Sequence, residues 1–238
     1  MPHDIILVRF LFIKIMQFDI ITIFPHIFDS YLDESILRRA QKKKLIKIKI
    51  HDLRDYTQDK RKTVDDRPYG GGPGMLLKVE PIYKALQSLK SKSRIFNLKS
   101  KIILLDPAGK KFDQRMAKRL SKLNRLILIC GRYEGFDERV KKFTDESVSI
   151  GDYVLSGGEL PAMVIIEAIS RQLPGVIGHE HALDEETFSQ DKNYIEYPQY
   201  TRPEIFKTKN SKKLNVPKIL LSGDHKKIEE WRKGNKKK

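Results

Sequence analysis

The sequence predicts an α/β fold on a mostly parallel sheet, and three observations carry that expectation. Short apolar, β-branched runs recur at Phe18 to Phe24, Lys101 to Leu105, Arg125 to Cys130 and Ser147 to Leu155. Stretches with helical spacing lie between or after them, at about 80–89, 113–123 and 159–173, which is the alternation that crossover helices impose on parallel strands. The loops after the strands are rich in glycine and polar residues, and in parallel sheets those loops hold ligands.

Taken in order, the first fifteen residues are apolar but interrupted by Arg9, too short and too charged to span a bilayer, and Met16 offers a second plausible start. They read as an N-terminal extension of unknown role. The Phe18 to Phe24 run is stopped by Pro25 and predicts a buried strand. Helix signals run from about Ser30 to Lys43, and Leu45 to Ile50 alternates apolar residues with lysine, as a half-buried strand does. From Asp52 to Gly74 periodicity is lost in a long polar loop ending Arg67-Pro68-Tyr69-Gly70-Gly71-Gly72-Pro73-Gly74; loops of this length in a compact domain are usually functional or disordered. After Gly178 the character changes. His179 to Glu196 is acidic and aperiodic, and a basic region follows with a helix at Asp224 to Lys233. The expected organisation is an extension at 1–15, a main domain at 16–177, a linker at 178–196 and a small basic domain at 197–238.

The chain has 238 residues, a formal charge of +16 and a pI near 9.7, which points to a polyanionic partner, nucleic acid first. The excess is concentrated: Lys207 to Lys238 hold 12 Lys/Arg against 3 Asp/Glu. That segment reads as an electrostatic arm for phosphates or, at its very end, as a solvated lysine tail. The single cysteine, Cys130, sits in an apolar run and reads as a core residue of an intracellular protein.

Several chemistries are excluded. Gly70 to Gly74 lacks the Gly-Lys-Ser/Thr that completes a Walker loop, no G-x-G-x-x-G follows the first strand, and no histidine pair has the spacing of a catalytic zinc site. Three strand-end loops remain: Leu104 to Gly109, Cys130 to Gly135, and Ser149 to Pro161. If their strands are adjacent and parallel, the loops converge on one end of the sheet and offer backbone donors, apolar walls and a few carboxylates. That combination suits an adenosine-containing cofactor with an amino-acid tail better than a polyphosphate. The alternative for Ser149 to Pro161 is an ordinary strand-turn-helix connection.

These residues carry a resemblance. Arg67 to Met75, Gly131-Arg132-Tyr133-Glu134-Gly135, Asp137-Glu138-Arg139, Ser149 to Pro161, Tyr200-Thr201-Arg202-Pro203 and Leu221 to His225, in that order, resemble the bacterial tRNA (guanine-N1)-methyltransferases, the TrmD family of the SPOUT class. The resemblance implies a trefoil-knotted α/β domain, a homodimer with its site at the subunit interface, a small helical C-terminal domain that binds tRNA, no membrane, a cytoplasmic location and S-adenosylmethionine as methyl donor. It implies methylation of N1 of the guanosine 3′ of the anticodon. A related enzyme acting on ribosomal RNA, or a catalytically impaired RNA-binding protein, are the alternatives. Magnesium assistance is implied without a ligand set that could be assigned. The family's cofactor loops fall here on Leu104, Leu105, Pro107, Gly131, Tyr133, Glu134, Ser149, Ile150, Gly151, Tyr153, Leu155, Gly157, Gly158 and Pro161. Asp106 stands where a serine is common, and the C-terminal domain is expected to be abbreviated.

Methylation of N1 requires removal of its proton and stabilisation of charge at O6, tasks for a carboxylate and a cation. By the resemblance the cation is Arg171, whose other reading is a partner for the dipole at a helix C-terminus. The base position falls on Glu186, one methylene longer than the family's aspartate, with Asp184 as the nearby substitute and a solvated acidic linker as the other reading. Arg67 and Tyr69 are candidates for RNA contact or for fixing their loop, while Trp231 and His225 read as packing and capping groups.

Overall fold

The computed structural model describes residues 15–91, 99–178 and 182–236, so the extension, apart from Ile15, and the last two lysines lie outside the described residues. The chain divides into two units, Met1–Gly178 and His179–Lys238. In the first, β1 (Met16–Thr22), β2 (Ile46–Asp52), β5 (Ser100–Lys111), β6 (Arg125–Cys130) and β7 (Glu146–Ser149) form one sheet in the order β2-β1-β6-β5-β7. Every pairing in it is parallel. Between the strands come α1 (Ser35–Lys42), α2 (Val79–Ser91), α3 (Gln114–Leu120) and, after β7, α4 (Glu159–Arg171).

The period of two along each strand divides the core into two layers. Phe18, Ile20, Leu126, Leu128, Cys130 and Leu105 face α1, α3 and α4, whereas Ile21, Ile127, Ile129, Ile102 and Leu104 face α2. Strands buried on both faces read as unbroken apolar runs, which is why β6 was legible to the residue. Cys130 belongs to this core, and burial pushes its thiol well above the ordinary value. One polar residue interrupts the central strands. Asp19 is fully buried and accepts from Gln17, from His51 Nε2 at 2.7 Å and from Arg125 Nε at 2.7 Å. Those partners hold its carboxyl below the usual range although burial alone would raise it.

Several elements differ from expectation. The helix expected from Ser30 starts only at Ser35, because buried Leu32 and its carbonyl, which accepts from Gln41 Nε2, pin the preceding turns to the core. The strand expected to stop at Leu105 continues to Lys111; Asp106 to Gly109 is a bulge inside it, with the register on β7 shifting between Leu105 and Lys110. The strand expected to reach Leu155 ends at Ser149. Within the long polar loop, the two-residue strands β3 (Asp65–Asp66) and β4 (Leu76–Leu77) pair antiparallel. The helix expected from Asp113 starts at Gln114, because Asp113 is itself the cap, accepting from Met116 N at 2.8 Å.

The second unit contains an antiparallel pair, β8 (Ile205–Lys207) and β9 (Lys213–Asn215), and α5 (His225–Asn235). The hairpin was not anticipated, since its exposed strands carry no burial pattern. Asp224 caps α5 on Lys227 N, and Trp231 lies 6.4 Å from the Tyr200 ring, a packing role. Among the described residues no helix is long and apolar enough to cross a membrane.

Candidate active site

At the C-terminal ends of β6 and β7 and at the bulge within β5, the three segments line a cavity of about 300 Å³, at the lower end of the range for small-molecule sites. The adjacency that brings them together follows from the strand order, since β6, β5 and β7 are consecutive neighbours. Leu105 and Pro107 from the bulge, Gly131, Tyr133 and Glu134 after β6, and Ser149, Ile150, Tyr153, Leu155, Gly157, Gly158 and Pro161 from the last loop all line it. Leu104 and Gly151 do not. Leu104 is fully buried on the α2 side of the sheet, one strand position and hence one face away from Leu105. Gly151 lies behind the wall, where a Cβ would fall 2.3 Å from the Tyr153 ring.

The last loop is fixed by backbone on backbone. Gly158 N donates to Gly131 O at 2.9 Å, and Gly157 pairs with Arg132 in a short antiparallel bridge. A Cβ on Gly158 would stand 2.7 Å from Cys130 Cα and 2.8 Å from Gly131 N, so only glycine allows the approach. Tyr133 holds a φ of 58° and is half exposed at the cavity, a conformation uncommon for a bulky residue that persists where surroundings enforce it.

A buried ion pair supports this corner. Glu159, the first residue of α4, is 2 % exposed; its Oε1 accepts from Thr22 Oγ1 at 2.7 Å and its Oε2 from Arg132 Nε at 3.1 Å. The Arg132 guanidinium also lies 4.6 Å over the Phe24 ring. Gly157 must lack a side chain for this contact, because a Cβ there would meet Arg132 Nε at 2.3 Å and Glu159 Oε2 at 2.5 Å. Thr22, Phe24, Arg132 and Glu159 were not anticipated as a group. Their one signal in the sequence is an acid, Glu159, directly ahead of the apolar run Leu160 to Ile166.

Charge collects at the rim. Lys141 stands 2.9 Å from Glu138 and 3.7 Å from Asp106, and its pKa is raised, chiefly by the hydrogen bond to Glu138. Asp106 Oδ1 accepts from Ala108 N at 2.9 Å, so this carboxylate caps the bulge, a task a serine hydroxyl also performs. Asp137 is held below the usual carboxylate range by Arg139.

Arg171 is the last residue of α4, ten positions beyond Pro161 and so about 15 Å along the helix from the cavity wall. Glu186 belongs to the second unit, where its carbonyl accepts from Ser189 N in a turn that Phe188 completes at a φ of 67°. Asp184 is exposed. In the glycine-rich loop Tyr69 is fully exposed, and Gly70, Gly71, Gly72 and Gly74 all have positive φ. Among the described residues no group of His, Cys, Asp and Glu is arranged to hold a metal ion.

A parallel α/β sheet whose adjacent strand-end loops enclose a small-molecule cavity defines a ligand-binding protein of the open-sheet class. The model of the tRNA (guanine-1)-methyltransferase TrmD family matches residues 16–238. The chain is 53% identical over 218 residues to a tRNA (guanine-N(1)-)-methyltransferase of Dictyoglomus turgidum, covering 92% of this chain and 84% of the relative. It is 49% identical to proteins of the same name from Persephonella marina, covering 92% and 82%, and from Clostridioides difficile, covering 92% and 91%. The chain belongs to the tRNA (guanine-1)-methyltransferase family.

Proposed function

We propose that this chain transfers a methyl group from S-adenosylmethionine to N1 of the guanosine 3′ of the tRNA anticodon. The observation that carries the reading is the cavity itself, formed where three loops of the family's motifs converge. The residues present suit the cofactor. Leu105, Pro107, Leu155 and Pro161 offer apolar walls for an adenine ring, and the backbone at Gly131, Tyr133, Ser149 and Ile150 offers donors and acceptors, with Leu104 and Gly151 supporting from behind the lining. Tyr153, Gly157 and Gly158 shape the wall, and Glu134 brings a carboxylate to it. When bound, S-adenosylmethionine supplies an electrophilic methyl group carried on sulfur.

In this reading Glu186 takes the proton from N1 and Arg171 holds the charge that gathers on O6. Arg171 stands far along α4 from the cavity, and this supports a site completed by a second copy of the chain. A homodimer is further supported by an exposed apolar face. Leu160 and Val164 are exposed on α4, with Phe24, Ile27 and Tyr31 exposed beside it and Tyr31 hydrogen-bonded to Glu167. The seating of Gly157 and Gly158 on Cys130 to Arg132 is consistent with the trefoil threading that the family resemblance implies. The second unit is the tRNA-binding domain, and a cytoplasmic location follows from the substrate. Magnesium is assigned to no residue. The activity that the relatives' names state favours tRNA over ribosomal RNA.

The test is methyl transfer to transcribed tRNA by the wild type and by Glu186→Ala and Glu186→Asp. Loss on the order of a hundredfold in kcat in the alanine variant, with activity kept in the aspartate variant, is expected for a positioned base. Unchanged turnover in Glu186→Ala removes Glu186 from the role.

A further inference from the structure

Between Glu34 and Asp52 the chain carries no acid. Over the same span Arg38, Arg39, Lys42, Lys44, Lys47 and Lys49 are all exposed, and among the described residues none of them forms an ion pair. Many of the other cations in this unit are matched, among them Lys84 with Glu80, Lys101 and Arg119 with Glu146, Lys111 with Asp152, and Arg139 with Asp137. What distinguishes this span is that these exposed cations stand together in a segment that carries no acid.

Its placement is also specific. β2 is the edge strand of the sheet, opposite β7, and lies two strands from β6 and three from β5, about 10–14 Å from the cavity walls at about 4.8 Å per strand. Ile46, Ile48 and Ile50 turn to the core beneath α1, so Lys47 and Lys49 project from the other face. Arg38 and Lys42 sit one turn apart on α1, about 6 Å along the axis, and alternate strand residues are spaced by about the same distance. The cations thus flank the open sheet edge on both sides, at intervals close to those of successive phosphates along one strand. Residues 35–51 include no Phe, Tyr or Trp, the large aromatic platforms on which successive unpaired bases stack.

We propose that α1 and the β2 edge form a second, sequence-independent RNA-binding surface, which grips the phosphate backbone of a double-helical stem of the tRNA while the loop is delivered to the cavity. The inference rests on tRNA being the substrate. A second copy of this chain is disfavoured on this surface because like charges would meet there, and a base-reading role is disfavoured by the missing aromatics.

The test uses the full chain with Arg38→Gln/Arg39→Gln/Lys42→Gln and, separately, Lys47→Gln/Lys49→Gln. All five side chains are exposed, and an unchanged thermal melt together with unchanged S-adenosylmethionine affinity verifies that each variant is folded. Fluorescence anisotropy with a short RNA duplex of unrelated sequence reads the surface without any methyl transfer, so it stands or falls independently of the activity. The triple variant should bind duplex on the order of tenfold more weakly at low salt, with its log K against log salt slope shallower by roughly 2, as expected from losing two or three phosphate contacts. Its KM for tRNA should rise with kcat unchanged. Duplex affinity and salt slope equal to wild type in both variants overturn the proposal. So does a loss seen equally with an unstructured single strand, or a loss confined to anionic lipid vesicles.

Discussion

Replacing Gly158 with alanine isolates the contact on which the cavity depends. The added Cβ would lie 2.7 Å from Cys130 Cα and 2.8 Å from Gly131 N, where ordinary contact begins at 3.4 Å. Both neighbours are backbone and cannot rotate aside, so the loop from Ser149 to Pro161 must retreat by roughly 0.7 Å from the loop after β6. Overpacking of this kind costs about 1–3 kcal/mol, which for a unit of this size lowers Tm by roughly 2–12 °C. A gap of that width also forfeits about a quarter to a half of each dispersion contact across it. The affinity for S-adenosylmethionine should therefore fall by about tenfold or more, an amount equal to about 1.4 kcal/mol. Calorimetric titration measures the affinity and a thermal melt the stability. Binding within twofold of wild type, with Tm lowered as expected, would refute the claim that the spacing of these two loops sets the cofactor site.

Glu159→Gln keeps the shape of the buried acid but removes the counter-charge of Arg132; unfolding in urea should show a loss of roughly 1–3 kcal/mol, the range for a buried group left incompletely satisfied. A stability equal to wild type would mean that Arg132 is neutralised by another group. Hydrogen bonds from Arg119 above all, and from Lys101, lower the Glu146 carboxyl to about 2, well below the ordinary glutamate range near 4.5. A depressed carboxyl contributes stability that is complete above its unfolded value and lost as pH falls through the folded one. The wild type should therefore lose stability between about pH 4.5 and 2, and Glu146→Gln should be weaker at neutral pH but flatter across that window. Equal pH dependence of the urea midpoint in the two proteins would contradict the assignment.

Much of the fold was legible because the central strands are buried on both faces. Arg125–Cys130 reads as one apolar block and forms β6 with those bounds, whereas the glycine pair at Gly157 and Gly158 read as part of a ligand loop, and only the structure shows Gly158 seated against the backbone of Cys130 and Gly131. The bulge in β5 was not legible, since Asp-Pro-Ala-Gly has the chemistry of a turn and only pairing with β7 keeps it in the strand. A motif also cannot tell Leu104 from Leu105. One step along a strand reverses the face, and only the observed layers send the first to the α2 side and the second to the cavity. The Arg132–Glu159 pair joins residues 27 apart, and nothing local connects them. Charge fared better: the acid-free span from Ser35 to His51 is visible in the sequence, but its meaning depended on β2 being an edge.

The central claim is a methyl group placed on N1 of one guanosine, and it is tested most directly by incubating the purified chain with isotopically labelled S-adenosylmethionine and transcribed tRNA, then mapping the modified nucleoside by nuclease digestion and mass spectrometry. The account predicts labelled 1-methylguanosine at the nucleotide 3′ of the anticodon and none when that guanosine is replaced by adenosine. Label on another nucleoside, at another position, or retained after the replacement would contradict it.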